Sequence, residues 1–104
     1  MENSKLTAAF VRAVAVPMLS PYARRVYLFG SAATGEADET SDVDILVELK
    51  LPGERPPLGL RWFALERELA ERLGRPVDLV SDAALSPHLR SHVDRQKVLL
   101  YAEG

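Results

Sequence analysis

The segment LFGSAATGEADETSDVDILVEL, residues 28–49, carries the groups best suited to chemistry. Gly30 and Ser31 end one apolar run, and Asp42 and Asp44 stand two residues apart at the start of the next. Burying a carboxylate without a partner is costly or forces the group to become neutral. On an extended chain, side chains at i and i+2 share a face, so these two carboxylates lie close enough to hold a divalent metal jointly. Mg²⁺ suits such a donor set, because it takes carboxylate, phosphate and water oxygens. A Gly-Ser turn between strand and helix lets backbone N–H groups and a hydroxyl approach an anion, and a phosphate fits it. Asp78, in RPVDLVS, is a third carboxylate entering a half-apolar strand. If its strand lies beside that of Asp42 and Asp44, the three carboxylates converge. They could then hold two ions about 3.5–4 Å apart, as in phosphoryl transfer. Asp78 would also be placed as general base for an incoming hydroxyl.

Competing motifs fail on particular residues. Gly30 and Gly35 have the spacing of a Walker-A loop, but Glu36 and Ala37 stand where Lys and Ser or Thr are required. An EF-hand is excluded by Leu46 and Val47, which replace a ligand and the obligatory glycine. His88 and His92 are spaced i, i+4, yet no glutamate follows His88, so a polar helix face is the simpler reading. Tyr22, Tyr27 and Tyr101 read as packing residues, and ERELAER reads as a solvated helix face.

The elements that must position these groups follow from periodicity. Ser4 is placed to cap a helix over 5–17, with Leu6, Phe10, Val14 and Met18 near one face. VYLF, residues 26–29, is a short buried strand, and Gly30-Ser31 turns it into a helical piece, SAATGEA, ahead of a polar loop. In DVDILVEL, Val43, Ile45, Val47 and Leu49 face one way, and Asp42, Asp44, Leu46 and Glu48 the other. KLPGERPP is a loop. It leads to a helix over 58–73, whose stripe of Leu58, Trp62, Leu65, Leu69 and Leu73 reads as core, with Gly74 at the stop. RPVDLVS is a third strand, Pro87 opens a short helix, and KVLLYA is a strand or a helix end.

The layout is therefore α-β-α-β-α-β-α-(β), an α+β (α/β layer) fold. It predicts a small mixed sheet flanked by helices, as a single domain over 1–104. The 104 residues allow one core, with 47% hydrophobic and 27% charged residues. The net charge of −2 gives no reason to expect nucleic-acid binding. The absence of cysteine removes disulfide, thiolate and zinc–thiolate chemistry. No apolar run approaches the ~20 residues of a membrane span. The N-terminal stretch is broken by Arg12 and does not read as a leader, so a cytoplasmic protein is expected.

GSAATGEADETSDVDILVEL resembles the signature of nucleotidyltransferases related to DNA polymerase beta, a Gly-Ser followed by Asp-x-Asp on the next strand. With LGRPVDLVS, the likeness extends from about Val26 to Tyr101 and is to the minimal nucleotidyltransferases, which serve as antitoxins to HEPN-domain toxins. The resemblance implies Gly30 and Ser31 as the nucleotide-phosphate residues, Asp42 and Asp44 as metal ligands, and Asp78 as the third carboxylate. It further implies Mg²⁺ (two ions), ATP as donor, and transfer of AMP to a hydroxyl, a tyrosine of a partner HEPN toxin, with release of pyrophosphate. One departure is that Ala32, Ala33 and Thr34 stand where many relatives have arginine. Arg24, Arg25 or a partner's residue are left as candidates to supply that charge. Two alternatives accompany this reading: an antitoxin that masks its toxin without catalysis, and a nucleotidyltransferase acting on a small molecule.

Overall fold

The computed structural model describes residues 7–34 and 41–104. Among these residues four helices and four strands alternate: α1 (Ala8–Leu19), β1 (Ala23–Phe29), α2 (Ser31–Thr34), β2 (Val43–Leu49), α3 (Arg61–Leu73), β3 (Val77–Ser81), α4 (Pro87–Gln96) and β4 (Val98–Ala102). Single 3₁₀ turns follow β2 (Pro52–Glu54) and β3 (Asp82–Ala84). The four strands form one mixed sheet in the order β3-β2-β1-β4. β1 is antiparallel to both β2 and β4, whereas β2 and β3 run parallel, joined by a crossover through α3. KVLLYA thus resolves as a strand. β1 also begins three residues earlier than its apolar core suggests, because pairing with β2 and β4 carries Ala23–Arg25 into the sheet.

The cap of α1 is Thr7, whose hydroxyl accepts from the Phe10 N–H at 3.1 Å. The expected cap, Ser4, lies outside the described residues. With the helix starting at Ala8, the buried face is Val11, Ala15 and Leu19, and Phe10 is left exposed. Pro17 lies inside the last turns. It has no N–H to donate, yet the end still closes through Ser20 N–H to Val16 C=O at 2.9 Å. α3 ends at Gly74, whose φ of 74° is the left-handed conformation that glycine adopts without a Cβ clash.

Strand alternation divides the packing. On one face α1 and α3 cover Val26, Leu28, Val43, Ile45, Val47, Leu79 and Leu100, together with Val11, Leu19 and Leu69 from the helices. The stripe on α3 is core as read: Leu65, Leu69 and Leu73 are buried, and Leu58 and Trp62 pack against them. On the other face α4 covers less, with Val93 and Leu85 on Leu46, flanked by Tyr27, Phe29 and Val80. Each outer strand is blunted by a helix side chain. Arg12 of α1 donates to the Leu100 and Leu99 carbonyls of β4 at 3.1 and 3.5 Å. Glu66 of α3 accepts the Leu79 N–H of β3 at 2.8 Å. Such groups satisfy edge N–H and C=O positions that would otherwise pair with another chain.

Candidate active site

The site forms where β1 ends, β2 begins and β3 begins. Phe29 pairs with Asp44 across β1 and β2, and Asp44 pairs with Asp78 across β2 and β3. Phe29, Asp44 and Asp78 therefore make one row across three strands, on the face that α4 only partly covers. Asp42 is exposed two residues before Asp44, at the mouth of β2. The three carboxylates come to one end of the sheet because the parallel β2–β3 register brings Asp78 beside Asp44.

Gly30 follows Phe29 with a φ of +73°, a conformation that residues with a Cβ rarely adopt. A Cβ built there would stand 3.2 Å from Asp44 Cγ and nearer still to Asp44 Oδ2. Only glycine allows the chain to turn this tightly against the carboxylate. The turn continues into α2, where the Ala33 and Thr34 N–H groups both bond the Gly30 carbonyl, at 3.0 and 3.2 Å. Ser31 is the first residue of that helix and directly follows the glycine that packs on Asp44. The expected helical piece SAATGEA is seen as Ser31–Thr34; Gly35, Glu36, Ala37 and most of the polar loop lie outside the described residues.

Burial is the largest influence raising the Asp44 carboxyl above its ordinary value, followed by the negative charges of Asp78 and then Asp42. Asp78 and Asp42 thus both lie close enough to act on Asp44. Among the described residues no salt bridge joins any of them to a cation. The all-oxygen, net-negative donor set fits a hard divalent cation. As the side chains lie, no three acidic or histidine groups among the described residues enclose an ion position. Asp42 and Asp78 are exposed, and rotation about χ1 is open to both.

Other expected contributors fall elsewhere. Arg24 and Arg25 stand at the start of β1, about 17–20 Å along the strand from Gly30, and they pair with Glu103 and Glu48. They do not supply charge at the Gly-Ser turn, because β1 holds them at the opposite end of the sheet. His88 and His92 are exposed on α4 and enter no metal-binding group among the described residues. Glu66 is the residue that motif reading missed. By tying down the N–H that follows Asp78, it fixes the outer strand at the site. Its position was readable in part, since it falls at i+4 from Trp62 and i−3 from Leu69, on the flank of the apolar stripe of α3.

A glycine turn packed on an Asp-x-Asp strand, with a further aspartate on the parallel neighbour, makes up the candidate site. Residues 16–100 match the nucleotidyltransferase domain family, and the chain belongs to it. Protein adenylyltransferase MntA of Thermococcus cleftensis is 41% identical over 75 residues, which cover 72% of this chain and 72% of that protein. Among solved structures, a chain of a toxin–antitoxin complex with AMP-PNP superposes with a TM-score of 0.73 at 29% identity, covering 88% of this chain and 73% of that one. A chain from the complex of tri-AMPylated Shewanella oneidensis HEPN toxin with its MNT antitoxin gives a TM-score of 0.68 at 26% identity, covering 93% and 74%. No helix among the described residues is long and apolar enough to cross a membrane.

Proposed function

We propose that this chain acts over 1–104 as one minimal nucleotidyltransferase domain, a protein adenylyltransferase that moves AMP from ATP to a hydroxyl of a partner HEPN-domain toxin and so acts as its antitoxin. The observation that carries the reading is the row Phe29–Asp44–Asp78 with Gly30 packed on its central carboxylate. It brings the glycine turn and three carboxylates to one end of the sheet. The similarity to MntA and to structures of toxin–antitoxin complexes supports both the donor and the class of acceptor. A reaction that consumes ATP fits the cytoplasm.

In this reading Gly30 and Ser31 hold the nucleotide phosphates. Asp42, Asp44 and Asp78 would hold Mg²⁺, which when bound neutralises phosphate charge. The acceptor, a tyrosine in the partner, brings its oxygen to the α-phosphorus of ATP. The new bond is oxygen to α-phosphorus, and the bond broken is that to the β-phosphate oxygen, so pyrophosphate leaves. Asp78, exposed at the outer strand, takes the hydroxyl proton as general base. Burial and the charges of Asp78 and Asp42 raise the Asp44 carboxyl above its ordinary value, and a cation held there would offset that repulsion.

The test is the intact mass of a candidate HEPN-domain partner after incubation with this chain, ATP and Mg²⁺, for wild type and for Asp42→Asn/Asp44→Asn. Added AMP masses with wild type alone are expected. A stable complex with no added mass would instead favour an antitoxin that masks its toxin, a reading to which the lack of arginine at Ala32–Thr34 contributes. AMP appearing on a small hydroxyl compound and never on the partner would favour the small-molecule reading.

A further inference from the structure

The loop after β2 and the first turn of α3 carry features that the reaction does not use. A cavity of about 240 Å³ opens there, lined by Leu49, Arg55, Leu58, Gly59, Trp62 and Ser81. Leu60 and Phe63, which directly follow two of the lining residues, are 83% and 63% exposed, and Leu51 is 58% exposed. Single exposed apolar residues are ordinary. Several beside a tryptophan-lined hollow mark an interaction surface. The cavity lies at the C-terminal ends of β2 and β3, with Leu49 about 17 Å along its strand from Asp44. It is therefore separate from the reaction centre.

The charges indicate what kind of surface would fit. Arg55 Nε donates to the Lys50 carbonyl at 2.9 Å, and Arg61 Nε donates to Tyr22 Oη at 2.9 Å. Neither guanidinium forms an ion pair among the described residues, in contrast to Arg24, Arg25, Arg72 and Lys97. Both stems are thus anchored on neutral oxygens, which leaves the terminal NH₂ pairs in the geometry that grips carboxylates. The start of α3 adds to this. Leu60 occupies its cap position with no side-chain bond, no acid lies in the first turn, and Arg61 is the first helical residue. Helix starts ordinarily carry the opposite pattern, because their free N–H groups attract negative charge. Here the Arg61, Trp62 and Phe63 N–H groups are met by the Leu58, Gly59 and Leu60 carbonyls at 2.7, 3.3 and 3.1 Å, so the local excess is the positive charge of the arginines. Over 50–63 the cations Lys50, Arg55 and Arg61 face a single acid, Glu54.

We infer that this surface docks the partner protein of the proposed reaction, with an apolar side chain seated against Trp62 and acidic residues on Arg55 and Arg61. The inference rests on that functional reading for the identity of the partner. Docking at one end of the sheet leaves the partner's hydroxyl-bearing segment free to reach the carboxylates at the other.

The experiment measures affinity for the cognate HEPN-domain protein, affinity for ATP with Mg²⁺, and AMP transfer in parallel. The variants are Leu60→Asp/Phe63→Asp and Arg55→Glu, with Leu89→Asp on α4 as an exposed control. Expected is a loss of partner affinity of about tenfold or more for the first two, the scale of interface hot spots. ATP affinity should match wild type, and Leu89→Asp should bind the partner normally. Weakening of the wild-type complex by added salt should be blunted in Arg55→Glu. Wild-type partner affinity in both surface variants would overturn the inference while AMP transfer, if seen, left the proposed function standing. Loss of docking in a pair that never transfers AMP would do the reverse. Equal loss in Leu89→Asp, or a wild type that binds no partner, would also overturn it. So would self-association of wild type, relieved by Leu60→Asp/Phe63→Asp with partner binding unchanged, since the occupant would then be a second copy.

Discussion

On the face covered by α1 and α3, Val26, Leu28, Val43, Ile45, Val47 and Leu69 have no exposed surface. On the opposite face α4 covers only Leu46, with Tyr27, Phe29 and Val80 half-buried around it, and Asp44 and Asp78 lie along the uncovered margin. The same strands serve both. Val43 and Ile45 flank Asp44 in sequence, and their burial on the thick face holds β2 in the register that sets Asp44 beside Asp78. Burial is deepest on one side of the sheet and the candidate site lies on the other, and strand alternation lets one segment carry both. On the thin face Asp44 is only half-buried, and burial together with the charges of Asp78 and Asp42 raises its carboxyl above the ordinary value.

The sharpest way to probe this division is to remove equal volume from each side. Leu28→Ala on the thick face should cost about 3–5 kcal/mol in chemical denaturation, the upper part of the range for a buried leucine. Leu85→Ala beneath α4 should cost about 2 kcal/mol, because a marginal site collapses more easily. Equal losses would mean that the thin face is as much a core as the other.

Gly30→Ala joins a backbone penalty of about 1–2 kcal/mol for a left-handed residue to a contact with the Asp44 carboxylate. AMP transfer should fall far more than stability does, and a variant with unchanged transfer would show that the tight turn is not needed by the site. Glu66→Ala should destabilise by about 1 kcal/mol, the scale of one hydrogen bond, and should speed amide exchange at Leu79. Glu66→Gln, which keeps an accepting oxygen, should restore most of that protection.

The smallest effect concerns Asp44. Its folded-state pKa is raised, so the unfolded chain releases this proton first. Metal-free stability should therefore fall as pH rises from the ordinary carboxylate value through the raised one. Asp44→Asn lacks that loss. The variant should equal wild type near pH ~3, where the carboxyl is protonated in both states, and exceed it slightly at neutral pH. Added Mg²⁺ should close the gap for wild type only, as read from thermal melts across pH.

Much of this was legible in the residues. The two faces of β2 follow from the alternation in DVDILVEL, and the end of α3 from Gly74. The buried stripe of α3 follows from leucines spaced four apart at Leu65, Leu69 and Leu73. The start of α1 was less readable, because Ser4 and Thr7 are both capping residues and local propensity does not choose between them. The role of Glu66 was hidden because a half-buried acid on a helix flank looks like a solvated one until the neighbouring strand is placed.

The sequence by itself determined that Asp42 and Asp44 share a side of one strand, since a period of two is a property of any extended chain. It determined also that Gly30 stands where an apolar run must turn. Only the tertiary structure decided that Asp78 joins them, that Gly30 rests on Asp44, and that Arg24 and Arg25 do not take part. Those outcomes depend on strand order and register, which arise from how α1, α3 and α4 pack on the sheet. No local pattern specifies a contact between segments more than thirty residues apart, such as Asp44 and Asp78; the closing of the core does.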